Sequence, residues 1–219
     1  MGTSLPIPGD SALTQTLQRT REGGPIDNFL SYYNRGVRER ITADVMTKLG
    51  SLLHEDGFTL SVACGWDERG DVRVDLHPGA VGRNVRADAR VLPFSDGSFD
   101  NVLGLAFLHH IKDYSRAVKE MVRVTRVGGR ILLMEPSLFH PHSIHFTHVF
   151  GLTKERPLYV NGVKAALLQK CQLLADDAFF GLRFAHFFLR HYDSPIKVGN
   201  SVPKPFQGYF LLVAERVRT

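Results

Sequence analysis

Three short apolar runs in the first half of the sequence each end in residues that can contact a ligand. The first run ends in Ala63-Cys64-Gly65, the second in Asp75, and the third is followed by Asp88. Small residues let the backbone lie close to a ligand, and a carboxylate accepts hydrogen bonds from ribose hydroxyls or an adenine amino group. Ligands of open α/β sheets bind beyond the carboxyl ends of the strands, so this order predicts a nucleotide-type site. Taken singly, each aspartate is equally consistent with a surface cap or turn.

Histidines supply the candidate acids and bases. His109 and His110 follow a fourth apolar run, and a later loop carries His140, His142, His145 and His148. A histidine titrates near neutral pH and can take a proton from a substrate hydroxyl, so His109, His110 and His145 are the candidate catalytic residues. The later histidines lack the usual zinc spacing, and no cysteine or acid joins them, so we expect no metal site. Structural packing and ordinary surface polarity are the alternatives for all of these histidines.

Hydrophobic periodicity predicts an α/β fold. Apolar runs predict five strands, and alternating apolar and charged residues at helical spacing predict a helix before the fifth strand, with Val127-Gly128-Gly129 as the connecting turn. A further helix and two antiparallel strands are expected to complete the sheet. The predicted strands are Phe58–Ala63, Asp71–Leu76, Asn84–Ala87, Phe99–Leu105 and Arg130–Glu135, the helices are Ser115–Thr125 and Gly162–Leu174, and the C-terminal hairpin is Phe179–Arg190 with Tyr209–Glu215.

Length and composition bound the domain organisation. The 219 residues allow one full hydrophobic core, so we expect an N-terminal arm with cap helices over residues 1–53 and an α/β domain over residues 54–219. The net charge of +5 is spread along the chain, which favours ordinary solvated surface over nucleic-acid binding. Two cysteines and the absence of a long apolar run predict a cytoplasmic protein without a membrane span. Nothing in the sequence indicates the oligomeric state.

The segment after the third strand carries a family resemblance. Asp88–Asp100 reads DARVLPFSDGSFD, and Leu108-His109-His110-Ile111, Gly128-Gly129-Arg130 and Glu135-Pro136 follow in order. From about Leu60 to Pro136 the chain resembles the class I S-adenosylmethionine-dependent methyltransferases, in particular the small-molecule, type 11-like methyltransferase domain. The resemblance implies a Rossmann-like class I methyltransferase sheet, mostly parallel with an antiparallel C-terminal hairpin.

The resemblance also implies a cofactor, S-adenosylmethionine, and a small-molecule substrate methylated on oxygen, nitrogen or carbon. It assigns the cofactor-binding role to residues at the strand ends, with the acceptor beneath a lid formed by residues before Leu49 and by His140–Tyr159. These cofactor-binding residues are Ala63, Cys64, Gly65, Asp75, Leu76, Asp88, Ala89 and Ala106.

The first turn departs from the family pattern and keeps two alternatives open. Ser61 stands where an acid is expected, Ala63 replaces the first glycine and Asp67 the last, which leaves Gly65. A turn with fewer glycines approaches a ligand less easily. One alternative is therefore a degenerate methyltransferase that acts as a non-catalytic binding or scaffold partner. A nicotinamide-dependent oxidoreductase is a weaker alternative, because G-x-G-x-x-G does not follow the first strand.

Overall fold

A computed structural model describes residues 47, 50–65, 68–80, 82–137, 158–180 and 207–218. All of them belong to one unit, Ala43–Thr219. The predicted N-terminal arm, most of the predicted cap helices and the proposed lid segments lie outside the described residues, and the domain boundary at residue 53 stays a prediction.

Seven strands form one mixed sheet. The strands are β1 (Thr59–Val62), β2 (Val72–Asp75), β3 (Val85–Arg86), β4 (Phe99–Leu105), β5 (Thr125–Pro136), β6 (Cys171–Phe180) and β7 (Gln207–Arg216). Their spatial order is β3-β2-β1-β4-β5-β7-β6. The first five strands pair in parallel, and β7 lies antiparallel between β5 and β6. The predicted sheet, mostly parallel with an antiparallel C-terminal hairpin, is confirmed.

Two helices pack near the second half of the sheet. Helix α1 (Tyr114–Val124) begins where the Asp113 carboxylate accepts the Arg116 N–H at 3.2 Å, which satisfies one of the free amides of the first turn. Helix α2 (Val160–Leu167) lies against α1. The apolar face predicted for α1 is buried, and it comprises Ala117, Val118, Met121, Val122 and Val124. Burial of this face places α1 over the central strands.

Two predicted boundaries were wrong. The predicted Val127–Gly129 turn lies inside β5. Phe99 pairs with Thr125 and Asn101 pairs with Arg130, so the residues between Thr125 and Arg130 bulge out of the strand pairing. Gly128 in this bulge has a φ of 76°. Residues 171–174 belong to β6 and not to a helix. Their apolar pattern suits either structure, and pairing with β7 selects the strand. The hairpin consequently begins before the predicted Phe179, and residues 181–190 lie outside the described residues.

Candidate cofactor and active site

The turn after β1 is held by backbone hydrogen bonds to the neighbouring strand. Cys64 N–H donates to the carbonyl oxygen of Val74 at 3.0 Å. Ala63 and Gly65 both adopt left-handed backbone conformations, with φ of 52° and 56°. A side chain resists that conformation, whereas glycine adopts it freely. The replacement of a glycine by Ala63 has therefore left a sharp turn in place.

Asp75 at the end of β2 fastens this turn. Its Oδ2 accepts the Gly65 N–H at 2.8 Å, and its Oδ1 accepts the His77 N–H at 2.7 Å. Each carboxylate oxygen has a second lone pair, so the half-buried group can accept further hydrogen bonds. Leu76, the next residue, exposes 53% of its surface. The structure thus brings Gly65, Asp75 and an exposed apolar side chain together at one edge of the sheet.

Asp88 after β3 is engaged by a neighbour. Arg90 Nη2 lies 2.6 Å from Asp88 Oδ2, Arg90 Nε lies 3.0 Å from Oδ1, and the Arg90 N–H donates to Oδ1 at 2.8 Å. The hydrogen-bonded Arg90 guanidinium holds the pKa of the Asp88 carboxyl below its usual value. Ala89, between them, is buried. An adenine amino group would have to share Asp88 with Arg90.

The carboxyl end of β4 lies beside the end of β1, since Val62 pairs with Gly104. Ala106 follows β4 with a φ of 55°, and its N–H donates to Met134 O at 2.7 Å. Of the described residues, Ala63 and Ala106 are the two that adopt a positive φ without being glycine. Backbone strain of this kind is concentrated at functional sites.

A buried carboxylate, Glu135, organises the segment after β4. Its Oε1 accepts the N–H groups of Phe107 and Leu108, each at 2.8 Å, and its Oε2 lies 2.8 Å from His109 Nδ1. Glu135 is fully buried, and these amides begin the short 3-10 helix Leu108–His110. A helix start leaves free N–H groups, which a negative charge stabilises. Glu135 is not among the predicted site residues, although its place as an acid at the end of the apolar ILLM run was an available signal.

The three candidate catalytic histidines differ in environment. His109 is 7% exposed and bonded through Nδ1 to Glu135. His110 is exposed, and the two rings lie 4.0 Å apart between centroids. His145 lies outside the described residues, as do Asp67 and the other histidines of the later loop. Within the described ranges, no group of three or more potential metal-ligating side chains occurs.

Side chains of α1 hold the thirteen-residue segment that carries the resemblance. Glu120 accepts the Leu92 N–H at 2.8 Å, and Arg123 donates to the carbonyl oxygens of Leu92 and Phe94 and to the Asp96 carboxylate. Glu120 and Arg123 also bond to each other, which raises the pKa of Arg123 and lowers that of Glu120. These residues hold the loop that connects Asp88 with β4.

Comparisons with known proteins agree with the geometry. Residues 68–133 match the sequence model of a family described as a methyltransferase domain. A demethylmenaquinone methyltransferase of Mycolicibacterium gilvum (strain PYR-GCK) is 32% identical over 110 residues, which cover 48% of this chain and 48% of that protein. The chain therefore spans about half the length of this relative.

Two solved structures share the fold. A S-adenosylmethionine-dependent methyltransferase from Thermotoga maritima, described as a possible histamine N-methyltransferase, has a TM-score of 0.60 at 15% identity, over 86% of this chain and 97% of that one. The cyclase SpnF has a TM-score of 0.57 at 19% identity, over 81% of this chain and 82% of that one. Among the residues that the structure describes, we find no helix with the length and apolar content needed to span a bilayer.

Proposed function

We propose that this chain binds S-adenosylmethionine and transfers the methyl group to a small-molecule acceptor, because residues 68–133 match a methyltransferase-domain model, a demethylmenaquinone methyltransferase is similar over about half of its length, and the fold is shared with an S-adenosylmethionine-dependent methyltransferase. The observation that carries the proposal is the hydrogen bond between Gly65 N–H and Asp75. It joins the β1 turn to a carboxylate that keeps unused lone pairs, as a ribose site requires. This donor and acceptor set fits the sugar of the cofactor.

The other cofactor contacts are proposed from their places at the same edge. Leu76 offers an apolar surface for the adenine face, and the Asp88-Ala89 backbone offers polar groups for its edge. The turns at Ala63-Cys64-Gly65 and Ala106 are proposed to flank the amino-acid portion. Asp88 fits an adenine amino group less well than Asp75 fits a ribose, because Arg90 already occupies its carboxylate.

The chemistry asks the protein mainly to align the acceptor and remove its proton. The cofactor supplies an activated methyl group on a sulfonium. His110, which is exposed, and the Nε2 atom of His109 are the proposed proton acceptors for a hydroxyl substrate. In His109 the Nδ1 atom faces the Glu135 carboxylate, so Nε2 is the nitrogen that can take up a proton. A quinone-type compound should be among the first acceptors tested for methylation, because one relative is named a demethylmenaquinone methyltransferase.

Calorimetric titration with S-adenosylmethionine and S-adenosylhomocysteine tests the proposal. We expect binding by the wild-type chain and at least a tenfold loss in Asp75→Ala and Asp75→Asn, since hydrogen bonds to a charged group contribute about 1.5–3 kcal/mol. Asp56→Ala is the matched control, because Asp56 is an exposed acid that precedes β1, at the opposite end of the strand. Circular dichroism establishes that each variant is folded. No binding of either ligand to folded wild-type protein would refute the enzyme proposal.

The second candidate is a methyltransferase-fold protein that does not transfer methyl groups. Ser61 and Ala63 favour it, because Ser61 in β1 stands where the family pattern has an acid and Ala63 in the following turn stands where it has a glycine. The same fold also occurs in a cyclase, so fold alone does not decide the reaction. Binding of cofactor without methylation of any acceptor in the panel would favour this candidate.

A further inference from the structure

A basic pocket lies at the end of the sheet opposite the proposed cofactor site. It has a volume of about 230 Å³ and is formed by the loop before β4, the last turns of both helices and the end of β7. Strand β4 has seven residues at about 3.3 Å each, so roughly 20 Å separate its two ends. The polar residues lining the pocket are Asp96, Lys119, Arg123, Gln169, Lys170 and Arg216.

Within the part of the chain that the structure describes, three of the four cations in the pocket form no direct ion pair with a carboxylate. Arg123 is paired with Glu120 and Asp96. Arg216 instead donates from Nη1 to the carbonyl oxygens of Arg123, at 2.9 Å, and of Thr125. Its charge is therefore fixed in place and still available to attract an anion.

The two lysines complete the positive lining. Within the described residues, the ammonium groups of Lys119 and Lys170 make no hydrogen bond or ion pair. The electrostatic potential of the pocket is positive at the Asp96 carboxyl, whose pKa is lowered by the hydrogen bond from Arg123 and by the charges of Arg123, Arg216 and Lys170. An ammonium group offers three donors, so two lysines beside a fixed guanidinium match the oxygens of one phosphate.

We propose that this pocket binds a small phosphate-bearing anion, at a site separate from the cofactor site. Its volume suits a single phosphate or phosphate monoester and is too small for a nucleic-acid strand. The two fixed arginines shape the pocket, and Lys119 and Lys170 close on the ligand from α1 and from the end of α2.

Titration with inorganic phosphate, followed by phosphorus NMR and calorimetry in a chloride buffer, tests the proposal. We expect millimolar or tighter binding, weakened about tenfold in Lys119→Met and in Lys170→Met and further in the double variant. Lys112→Met is the matched control, because Lys112 is an exposed lysine outside the pocket; its affinity should equal that of the wild type.

Three outcomes would overturn the proposal: no phosphate binding by the wild-type chain, unchanged affinity in the folded double variant, or an equal loss in Lys112→Met. Glucose 6-phosphate and a short phosphorylated peptide, used as second probes, distinguish a small monoester from a protein ligand. Binding of the phosphorylated peptide without binding of glucose 6-phosphate would be a fourth result that contradicts the proposal. The assay contains no S-adenosylmethionine, so its result is independent of the proposed methyl transfer.

Discussion

Replacement of Glu135 by Gln should move a proton within His109. In the wild type, Oε2 can only accept, so Nδ1 of His109 carries the proton across the 2.8 Å contact. A glutamine can keep its oxygen towards the N–H groups of Phe107 and Leu108, which places its NH₂ against Nδ1. To accept that N–H, the neutral imidazole must carry its proton on Nε2. The variant therefore removes the only nitrogen of His109 proposed to act as a base.

The expected change in stability follows from the same three hydrogen bonds. In Glu135→Gln each of these bonds changes from charge-assisted to neutral, which lowers the free energy of unfolding by about 0.5–1 kcal/mol per bond. Part of this loss is offset because a neutral amide costs less to bury than a carboxylate. The net loss should be about 1–2 kcal/mol. Glu135→Ala leaves three buried donors without this partner, at about 1–3 kcal/mol each, for a loss of about 3–9 kcal/mol.

Urea denaturation measures both losses, and long-range proton–nitrogen correlation spectra identify the tautomer of His109. Glu215→Gln is the control, because it removes a half-buried carboxylate that accepts a hydrogen bond from Gln172, with an expected change within about 0.5 kcal/mol. A proton still on Nδ1 in the glutamine variant, or an alanine variant within 1 kcal/mol of wild type, would refute this account of Glu135.

Three further predictions concern the strand ends and the core. Ala63→Gly should stabilise the protein by about 0.5–1 kcal/mol in urea denaturation, because the left-handed backbone costs alanine about 1–2 kcal/mol and the extra chain freedom of glycine offsets part of the gain; a net loss would contradict the strain. Burial raises the pKa of the Cys171 thiol to about 11, above the 9.0 of an exposed thiol, so its contribution to stability is complete below pH 9 and is lost as pH rises towards 11. In Cys171→Ala the free energy of unfolding should therefore fall less steeply with pH between 9 and 11. A slope equal to that of the wild type would argue against the raised pKa. Arg90→Gln should lower the melting temperature at neutral pH, because Arg90 lowers the pKa of the Asp88 carboxyl in the folded protein. The stability gained from this ion pair is present above the unfolded pKa of 3.8 and is lost as pH falls through the folded pKa. The difference in melting temperature between wild type and variant should therefore narrow below about pH 4, and a constant difference would exclude the ion pair as its cause.

Strand positions were predictable where an apolar run is bounded by turn residues. The predicted Phe99–Leu105 coincides with β4, and the predicted Ser115–Thr125 lies one residue from α1 at each end. The start of β6 was not predictable, because residues near Cys171 have an apolar pattern that fits a helix or a strand. Their pairing with β7, some forty residues later, decides between them.

The location of the candidate site was predictable from the sequence, whereas most hydrogen-bond partners of its side chains were not. Strand ends marked Asp75 and Asp88 as candidates, but the bond between Asp75 and Gly65 depends on the alignment of β1 with β2. The Arg90 that occupies Asp88 stands two residues away, so a local signal existed there. Glu135 and His109 are 26 positions apart, and only the parallel pairing of β4 with β5 brings them together.

The altered β1 turn bears on the choice between an enzyme and a non-catalytic relative. Ala63 stands where the family pattern has a glycine, yet it keeps the left-handed backbone that a glycine would adopt, and Ala106 at the end of the adjacent strand also has a positive φ. Each such residue costs about 1–2 kcal/mol, against a total stability of about 5–15 kcal/mol for a typical domain. The turn also keeps its bond to Asp75. The substitution has therefore strained the turn without removing its shape, and this favours a ligand site that is still in use over one that has been lost.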